Sequence, residues 1–464
     1  MKRFNQLCLF SLAATSMLGV VSCISDDSVG AVNQLSYLSA EKTVADEYKA
    51  DRWDTLRIAA PKVHQTHVNK PLTYRWEVNG KVVSTEKDLA YECKEYTKDK
   101  NSPFLCRLTI SNEDGSYYKN FKLHVQYRYR TGVYVLAEDN GKTIVSYIRP
   151  DSAKTLVERD LLAKNNAETT FNGKPTAATI IDYYGKNDLF FAAGSPSQIY
   201  RLDGNTMQLV AATEAAGTVS MLYANKIGGL NNEQVGGKLS VIEDGDVSDI
   251  RTADLSLVIT SNTSRDVVKV LPKFQFAPAV LSYADTGIDN YTGLVFYDND
   301  HGFVLYAADA KVSEKEKLQK TKLIFNEQFK GLKYVGMVPV NKNHDVAFFL
   351  HDDAANKFYH VWLYPGSYST VKRQNSDPEL KQAKIEIPAS AGVTVKSKFV
   401  AAQATNLVYY SNDNKIYAYS VLSKGNFPTT PDFTCPEGEE IVAMVLNADE
   451  SELIVATNST ASQQ

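Results

Sequence analysis

The sequence predicts an all-β protein: a small two-sheet sandwich followed by a β-propeller of six or seven blades. Three observations carry that expectation. Apolar and polar residues alternate in short runs, turn pairs such as Asn79-Gly80 separate them, and after Arg130 an aromatic hairpin recurs about every 50 residues. Composition agrees, with 44% hydrophobic and 22% charged residues and 27 tyrosines, a residue suited to strands and to contact surfaces. Fifty basic against 54 acidic residues give a net charge of −4, which offers no broad footprint for nucleic acid, and none is expected as a partner.

The N-terminus comes first in order. Met1-Lys2-Arg3 and the apolar run Leu7 to Val21 read as a secretory signal over residues 1–22, too short to span a bilayer as a mature helix. The residues Val20-Val21-Ser22-Cys23 resemble a bacterial lipobox, which implies that Cys23 is acylated and becomes the first mature residue. Several acyl chains, at ~0.8 kcal/mol per buried CH₂, anchor a protein stably. The acidic pair in Ile24-Ser25-Asp26-Asp27 is similar to the surface-export signal of Bacteroidota lipoproteins, which implies display on the outer-membrane surface. Residues 23–51 show little periodicity and are expected to form a lipid-anchored spacer.

Of the remaining cysteines, Cys93 and Cys106 lie in neighbouring strand-like runs, and an oxidising compartment would permit a disulfide between them. Cysteine is also a small core hydrophobe, so two buried thiols are the competing expectation. Cys435 has no obvious partner and is expected to be buried.

A β-sandwich is expected over residues 52–128. Its strand-like runs are Leu56-Arg57-Ile58, Leu72 to Val78, Leu105 to Ile110 and Phe121 to Val125. The turns Asn79-Gly80 and Asn112-Glu113-Asp114-Gly115 lie between them, and Trp76 is the expected inward tryptophan of an immunoglobulin-like sandwich. Here the pattern becomes more specific. Tyr74-x-Trp76-x-x-Asn79-Gly80, Leu108-x-Ile110-x-Asn112-x-x-Gly115 and Leu123-x-Val125 are similar to the PKD-type domain. Gly132-x-Tyr134-Val135-Leu136-x-Glu138-x-x-Gly141 with Ser146-Tyr147-Ile148 resembles the junction in PKD-like family lipoproteins of Bacteroidota.

Residues 129–464 form the repeat region. Hairpin units begin near Val133, Leu189, Lys238, Leu294, Val346, Leu407 and Leu453, and a unit of this size cannot bury its face alone, which favours stacking into a propeller. The last strand, Glu452 to Thr457, has no evident partner after it. The first hairpin is therefore expected to complete the last blade, giving six blades from seven hairpins.

Candidate chemistry is sparse. Asp298-Asn299-Asp300-His301-Gly302 and Glu243-Asp244-Gly245-Asp246 place oxygen ligands near a glycine, as a calcium loop does, but the first lacks the distal glutamate and both suit hairpin turns. His64-x-x-His67 and the set His351, Asp352, His360 have metal-ligand residue types without cysteine, and solvated or capping histidines are the plainer expectation. No serine elbow or phosphate-cradling glycine loop is present, so no catalytic residue, metal or cofactor is assigned. Tyr183-Tyr184, Tyr409-Tyr410, Tyr364, Tyr368 and Trp362 at strand ends are candidates for a contact surface, with blade packing the alternative for each. Asp54-Thr55-Leu56 and Asp151-Ser152-Ala153 resemble Bacteroidota O-glycosylation sites.

The family resemblance implies partners. It implies a non-catalytic accessory lipoprotein of a SusC/SusD-type importer, a TonB-dependent transporter with its lid lipoprotein, capturing peptide or glycan at the cell surface. A propeller hydrolase or lyase, and a structural adaptor without its own ligand, are the alternatives.

Overall fold

The computed structural model describes residues 34–459, apart from 98–101, 130, 150–154, 184–185, 225–237, 252–254, 256–274, 279–280, 285–291, 310–320, 325–328, 342–344, 370–373 and 448. The signal, Cys23, the Asp26-Asp27 pair and the Asp151-Ser152-Ala153 site lie outside the described residues. The chain divides into two units between Gln126 and Tyr127. No helix among the described residues is long and apolar enough to cross a membrane.

The first unit is a β-sandwich. Its main sheet has five strands in the spatial order Glu47–Asp51, Gly115–Gln126, Phe104–Asn112, Thr73–Val78 and Lys81–Ser84. A two-stranded sheet, Thr55–Ile58 with Leu89–Glu92, contributes Ile58 and Leu89 to the same core. Alternation decides which face is inward: Trp76, Val78, Cys106, Leu108, Ile110, Phe121, Leu123 and Val125 are buried together. Trp76 is fully buried, meets Phe121 edge-on at 6.3 Å, and satisfies its indole N–H on Glu86 O at 3.1 Å. Asn79 and Gly80 both have positive φ, 49° and 74°, the geometry a tight two-residue hairpin needs.

One boundary differs from expectation. Residues expected as spacer are folded from about residue 35 onward. Leu38–Ala40 pairs with Val63–Gln65, and Glu47–Asp51 adds in parallel to the end of the long strand Gly115–Gln126. The short segment Tyr48-Lys49-Ala50 alternates too briefly to stand out, and its pairing partner is more than 70 residues away.

Among the described residues the second unit holds eight antiparallel sheets: seven in succession, and a small two-stranded one, Ser367–Ser369 with Gln374–Ser376, inserted between the last two strands of the fifth. The first holds Val133–Asp139, Lys142–Arg149 and Leu156–Glu158, and the second Pro175–Tyr183, Lys186–Ala193, Gln198–Leu202 and Leu209–Glu214. The third holds Val219–Ala224, Lys238–Glu243 and Asp246–Arg251, and the fourth Leu281–Ala284, Thr292–Asp298, Phe303–Asp309 and Thr321–Ile324. Leu332–Pro339, Val346–Asp352, Lys357–Tyr364 and Glu379–Ile387 form the fifth; Phe399–Ala402, Leu407–Asn412, Lys415–Ser420 and Phe433–Thr434 the sixth. Glu439–Leu446 and Leu453–Ser459 form the seventh.

Leading strands of successive sheets lie side by side, Val133–Asp139 by Pro175–Tyr183 by Val219–Ala224, and Leu332–Pro339 by Phe399–Ala402 by Glu439–Leu446. Sheet faces stack in the same order: Val338, Phe349 and Ile387 of the fifth pack on Val408, Tyr410 and Tyr419 of the sixth. Sequential meanders joined through their leading strands and packed face to face are the architecture of a β-propeller. At Gly336 the fit is so close that a Cβ would lie 2.3 Å from the Phe399 ring.

The final strand has a partner after all. Leu453–Ser459 pairs with the preceding Glu439–Leu446, so among the described residues the first hairpin and the last strand belong to separate sheets, and of the six or seven blades expected the seven successive sheets match the larger number. Six of the seven repeat starts read from the sequence fall in the second strand of a sheet, because that strand carries the densest apolar run.

Candidate functional site

The described residues contain a cleft of about 540 Å³ in the sandwich unit, a size within the usual range for ligand sites. It is lined by Asp46, Glu77, Gly80, Leu105, Arg107, Asn120 and Lys122, with Cys106 and Phe121 from the strands beneath. Strand register builds it. Glu77, Arg107 and Asn120 stand opposite one another on three neighbouring strands, and Leu105 faces Lys122 on the next rung. Residues of alternate parity, Trp76, Cys106, Leu108 and Phe121, fill the core, so the lining side chains stand on the open face. The Asn79-Gly80 turn closes one end: Asn79 N donates to Leu105 O at 2.8 Å, and Leu105 N donates to Asn79 Oδ1 at 3.2 Å.

The charges in the cleft are unequal in availability. Glu77 accepts from Arg75 Nη2 at 2.9 Å, and Asp46 is engaged by Lys119, which holds the Asp46 carboxyl below its ordinary range. Arg107, an exposed residue, donates Nε to Asn120 Oδ1 at 2.9 Å. Glu47, across the ladder from Lys122, is engaged instead by His124 at 3.0 Å. On the same strand and the same face as Asn120 and Lys122 lies Tyr118, 66% exposed.

The residues singled out in the sequence fall elsewhere. Cys93 and Cys106 are buried free thiols, so of the two alternatives the structure has the buried thiols and not the disulfide. Each sulfur lies near the carbonyl two residues back, Tyr91 O at 3.8 Å and Phe104 O at 3.7 Å, and burial pushes the Cys106 thiol up to about 12. Cys435 is also a buried free thiol.

The acidic turns are hairpin ends. Asp298 is fully buried and its carboxylate already accepts from Gln275 N at 2.8 Å, His301 N at 3.1 Å and Asp300 N at 3.2 Å, besides the His301 ring at 2.6 Å. Asp244 and Gly245 take positive φ, and the Asp244 and Glu243 carboxylates cap Thr218 N and Gly217 N. His64 is engaged by Glu41, and His67 is exposed. His351 bonds Asp353 and Asn356, and Asp352 caps Ala354 N and Ala355 N. Among the described residues no three metal-ligating side chains stand together.

His360 is a different case. It is completely buried beside Phe349, Tyr419 and Phe427, its Nε2 has no hydrogen-bond partner, and burial lowers its pKa to about 3. Tyr410 is core, stacked on Tyr417 at 5.1 Å with its hydroxyl on Ala391 O. Trp362 is half-buried and bonds buried Asp345 at 3.0 Å, while Tyr409 and Tyr364 are half-buried. Tyr184, and the side chains of Tyr183 and Tyr368, lie outside the described residues. The tyrosine-lined surface expected of the repeats is thus, where described, largely sheet packing.

Residues 31–175 match the PKD-like family. That span takes in the sandwich and continues through the first propeller sheet to the start of the second, the stretch in which the family's motifs were read. No curated protein matches the chain. Among solved structures, a quinonprotein alcohol dehydrogenase-like protein from Bacteroides thetaiotaomicron is similar at 18% identity over 91% of each chain, with a TM-score of 0.41. Sqt1 of Saccharomyces cerevisiae is similar at 10% identity over 77% of this chain and 88% of that one, TM-score 0.39. BamB from Moraxella catarrhalis matches at 10% identity over 68% and 93%, TM-score 0.32. The propeller assignment rests on the seven successive sheets themselves.

The cleft residues were not singled out in the sequence. The available signal was parity: in Leu105-Cys106-Arg107 and Asn120-Phe121-Lys122, the positions between core residues carry the cations and an exposed leucine, 68% accessible.

Proposed function

We propose that this protein is an outer-membrane lipoprotein displayed at the cell surface, anchored through acylated Cys23. In this reading it is a non-catalytic accessory subunit of a SusC/SusD-type importer that captures peptide or glycan. The observation that carries the reading is the order of parts. A lipobox-like Val20-Val21-Ser22-Cys23 is followed by a region matching the PKD-like family, with a cleft on its open sheet face, and then by a repeat-built β unit. Lipid tethering would raise the captor's local concentration around the transporter mouth, so weak contacts suffice.

The cleft favours binding over hydrolysis. Its two carboxylates, Glu77 and Asp46, are each held by a cation, and Lys119 keeps the Asp46 carboxyl below its ordinary range, the opposite of what a general acid needs. Pull-down of the native lipoprotein from detergent-solubilised outer membranes tests the proposal, with recovery of transporter and lid lipoprotein expected. Recovery of the protein alone would overturn it. Cys23→Ala should shift the chain from the membrane to the soluble fraction, and persistent membrane attachment would refute the anchor.

A further inference from the structure

We propose that the open face of the five-stranded sandwich sheet binds an anionic glycan, one bearing uronate carboxylates or sulfate esters. The proposal rests on the captor reading above and names the ligand class of that same cleft. Three observations carry it. Both acids in the cleft are already neutralised, Glu77 by Arg75 and Asp46 by Lys119. Both cations, Arg107 and Lys122, lack a carboxylate partner among the described residues; Arg107 has only the neutral Asn120 amide, and Glu47 is turned to His124. The face therefore presents two available positive charges on adjacent rungs, diagonal neighbours about 7–8 Å apart at the backbone.

The third observation selects a sugar. Tyr118, Asn120 and Lys122 occupy alternate positions of one strand, all on the open face, with Arg107 beside Asn120. An exposed ring offers a flat platform to the C–H face of a pyranose, while the amide and the two cations meet hydroxyls and acid groups further along the chain. The Arg107 fork, fixed at Nε by Asn120, keeps Nη atoms to meet a carboxylate or sulfate. A peptide adding as a strand would find no free edge at Arg107 or Lys122, because Cys106–Ser111 is paired on both sides and Gly115–Gln126 is paired on both sides from Lys122 onward.

The test is calorimetric titration of the full lipoprotein in nonionic detergent with four probes: tetragalacturonate, a chondroitin sulfate tetrasaccharide, maltotetraose and tetraglutamate. Binding of either or both acidic sugars is expected, weakening as salt rises from about 50 to about 300 mM. Tetragalacturonate offers carboxylates alone and the chondroitin sulfate tetrasaccharide offers carboxylates and sulfate esters together, so binding of the second without the first points to the sulfates. The Arg107→Ala/Lys122→Ala double variant should bind at least about tenfold more weakly, and Tyr118→Ala severalfold more weakly. These side chains stand on the open face, and circular dichroism checks that the fold is kept. The proposal is overturned if neither acidic sugar binds, if maltotetraose or tetraglutamate binds as tightly, or if the double variant binds like the parent. Recovery of the importer without acidic-sugar binding would sink this proposal alone, whereas acidic-sugar binding without the importer would sink the accessory reading alone.

Discussion

Arg201 holds the fully buried Asp188 from the neighbouring strand of the second propeller sheet, with Nε at 3.0 Å and Nη2 at 2.7 Å from Oδ2. The other carboxylate oxygen accepts from Gly204 N at 2.8 Å. Asp188 thus ties two strands and the turn after Leu202 to one carboxylate.

Removing the acid alone should be severe. Asp188→Ala removes the carboxylate from a guanidinium that is only 14% exposed and leaves Gly204 N–H without its acceptor. Breaking one side of such a pair costs about 3–5 kcal/mol, most of it from the charge left behind. Chemical denaturation should show that loss in the propeller transition. The double change Asp188→Leu/Arg201→Met should be milder than Asp188→Ala, because it removes both charges, and a double variant as unstable as the single would refute the account.

The buried imidazole of His360 predicts acid sensitivity. In the folded protein it stays neutral down to about 3, against 6.5 for an ordinary histidine, since protonation would place a charge among Phe349, Tyr419 and Phe427. Between those values the unfolded chain binds the extra proton and the folded chain does not. The stabilising contribution is therefore complete above pH 6.5 and is lost as pH falls through that window, by at most about 1.4 kcal/mol per unit. In His360→Leu the unpartnered Nε2 disappears as well. The pH dependence of the thermal midpoint between 6.5 and 4 should flatten in that variant, and an unchanged slope would assign the effect to other groups.

The sandwich and the repeat were legible because both are written in local alternation. Trp76, Leu108, Ile110 and Leu123 mark their faces within a few residues, and strands such as Val346–Asp352 are almost wholly buried. What escaped was non-local. Glu47–Asp51 becomes a strand only by pairing with residues 122–126, and Glu439–Leu446, which holds the last strand, shows little alternation of its own. Its exposed Val442 and Val445 and the acidic start Glu439-Glu440 blur the apolar period. The cleft escaped for a related reason: Arg107, Asn120 and Lys122 converge by cross-strand register, and spacing along one strand does not reveal which charges are already neutralised by a neighbour.

The thiols offer a direct chemical check of the sandwich core. Cys93 and Cys106 share one apolar cluster with Trp76, Leu108 and Val125, and burial raises both pKa values, Cys106 to about 12. The thiolate is the reactive form, so neither should alkylate in the native protein at neutral pH. Brief iodoacetamide treatment followed by peptide mass spectrometry should find Cys93, Cys106 and Cys435 unmodified. The same treatment in guanidinium without reductant should label all three. If Cys93 and Cys106 stay unlabelled in guanidinium until a reductant is added, the two are bridged in the native protein and the description of the core as holding free thiols is wrong. If they label in the native state, the strand ending at Glu92 opens readily, and the cleft above Cys106 would rest on a mobile floor.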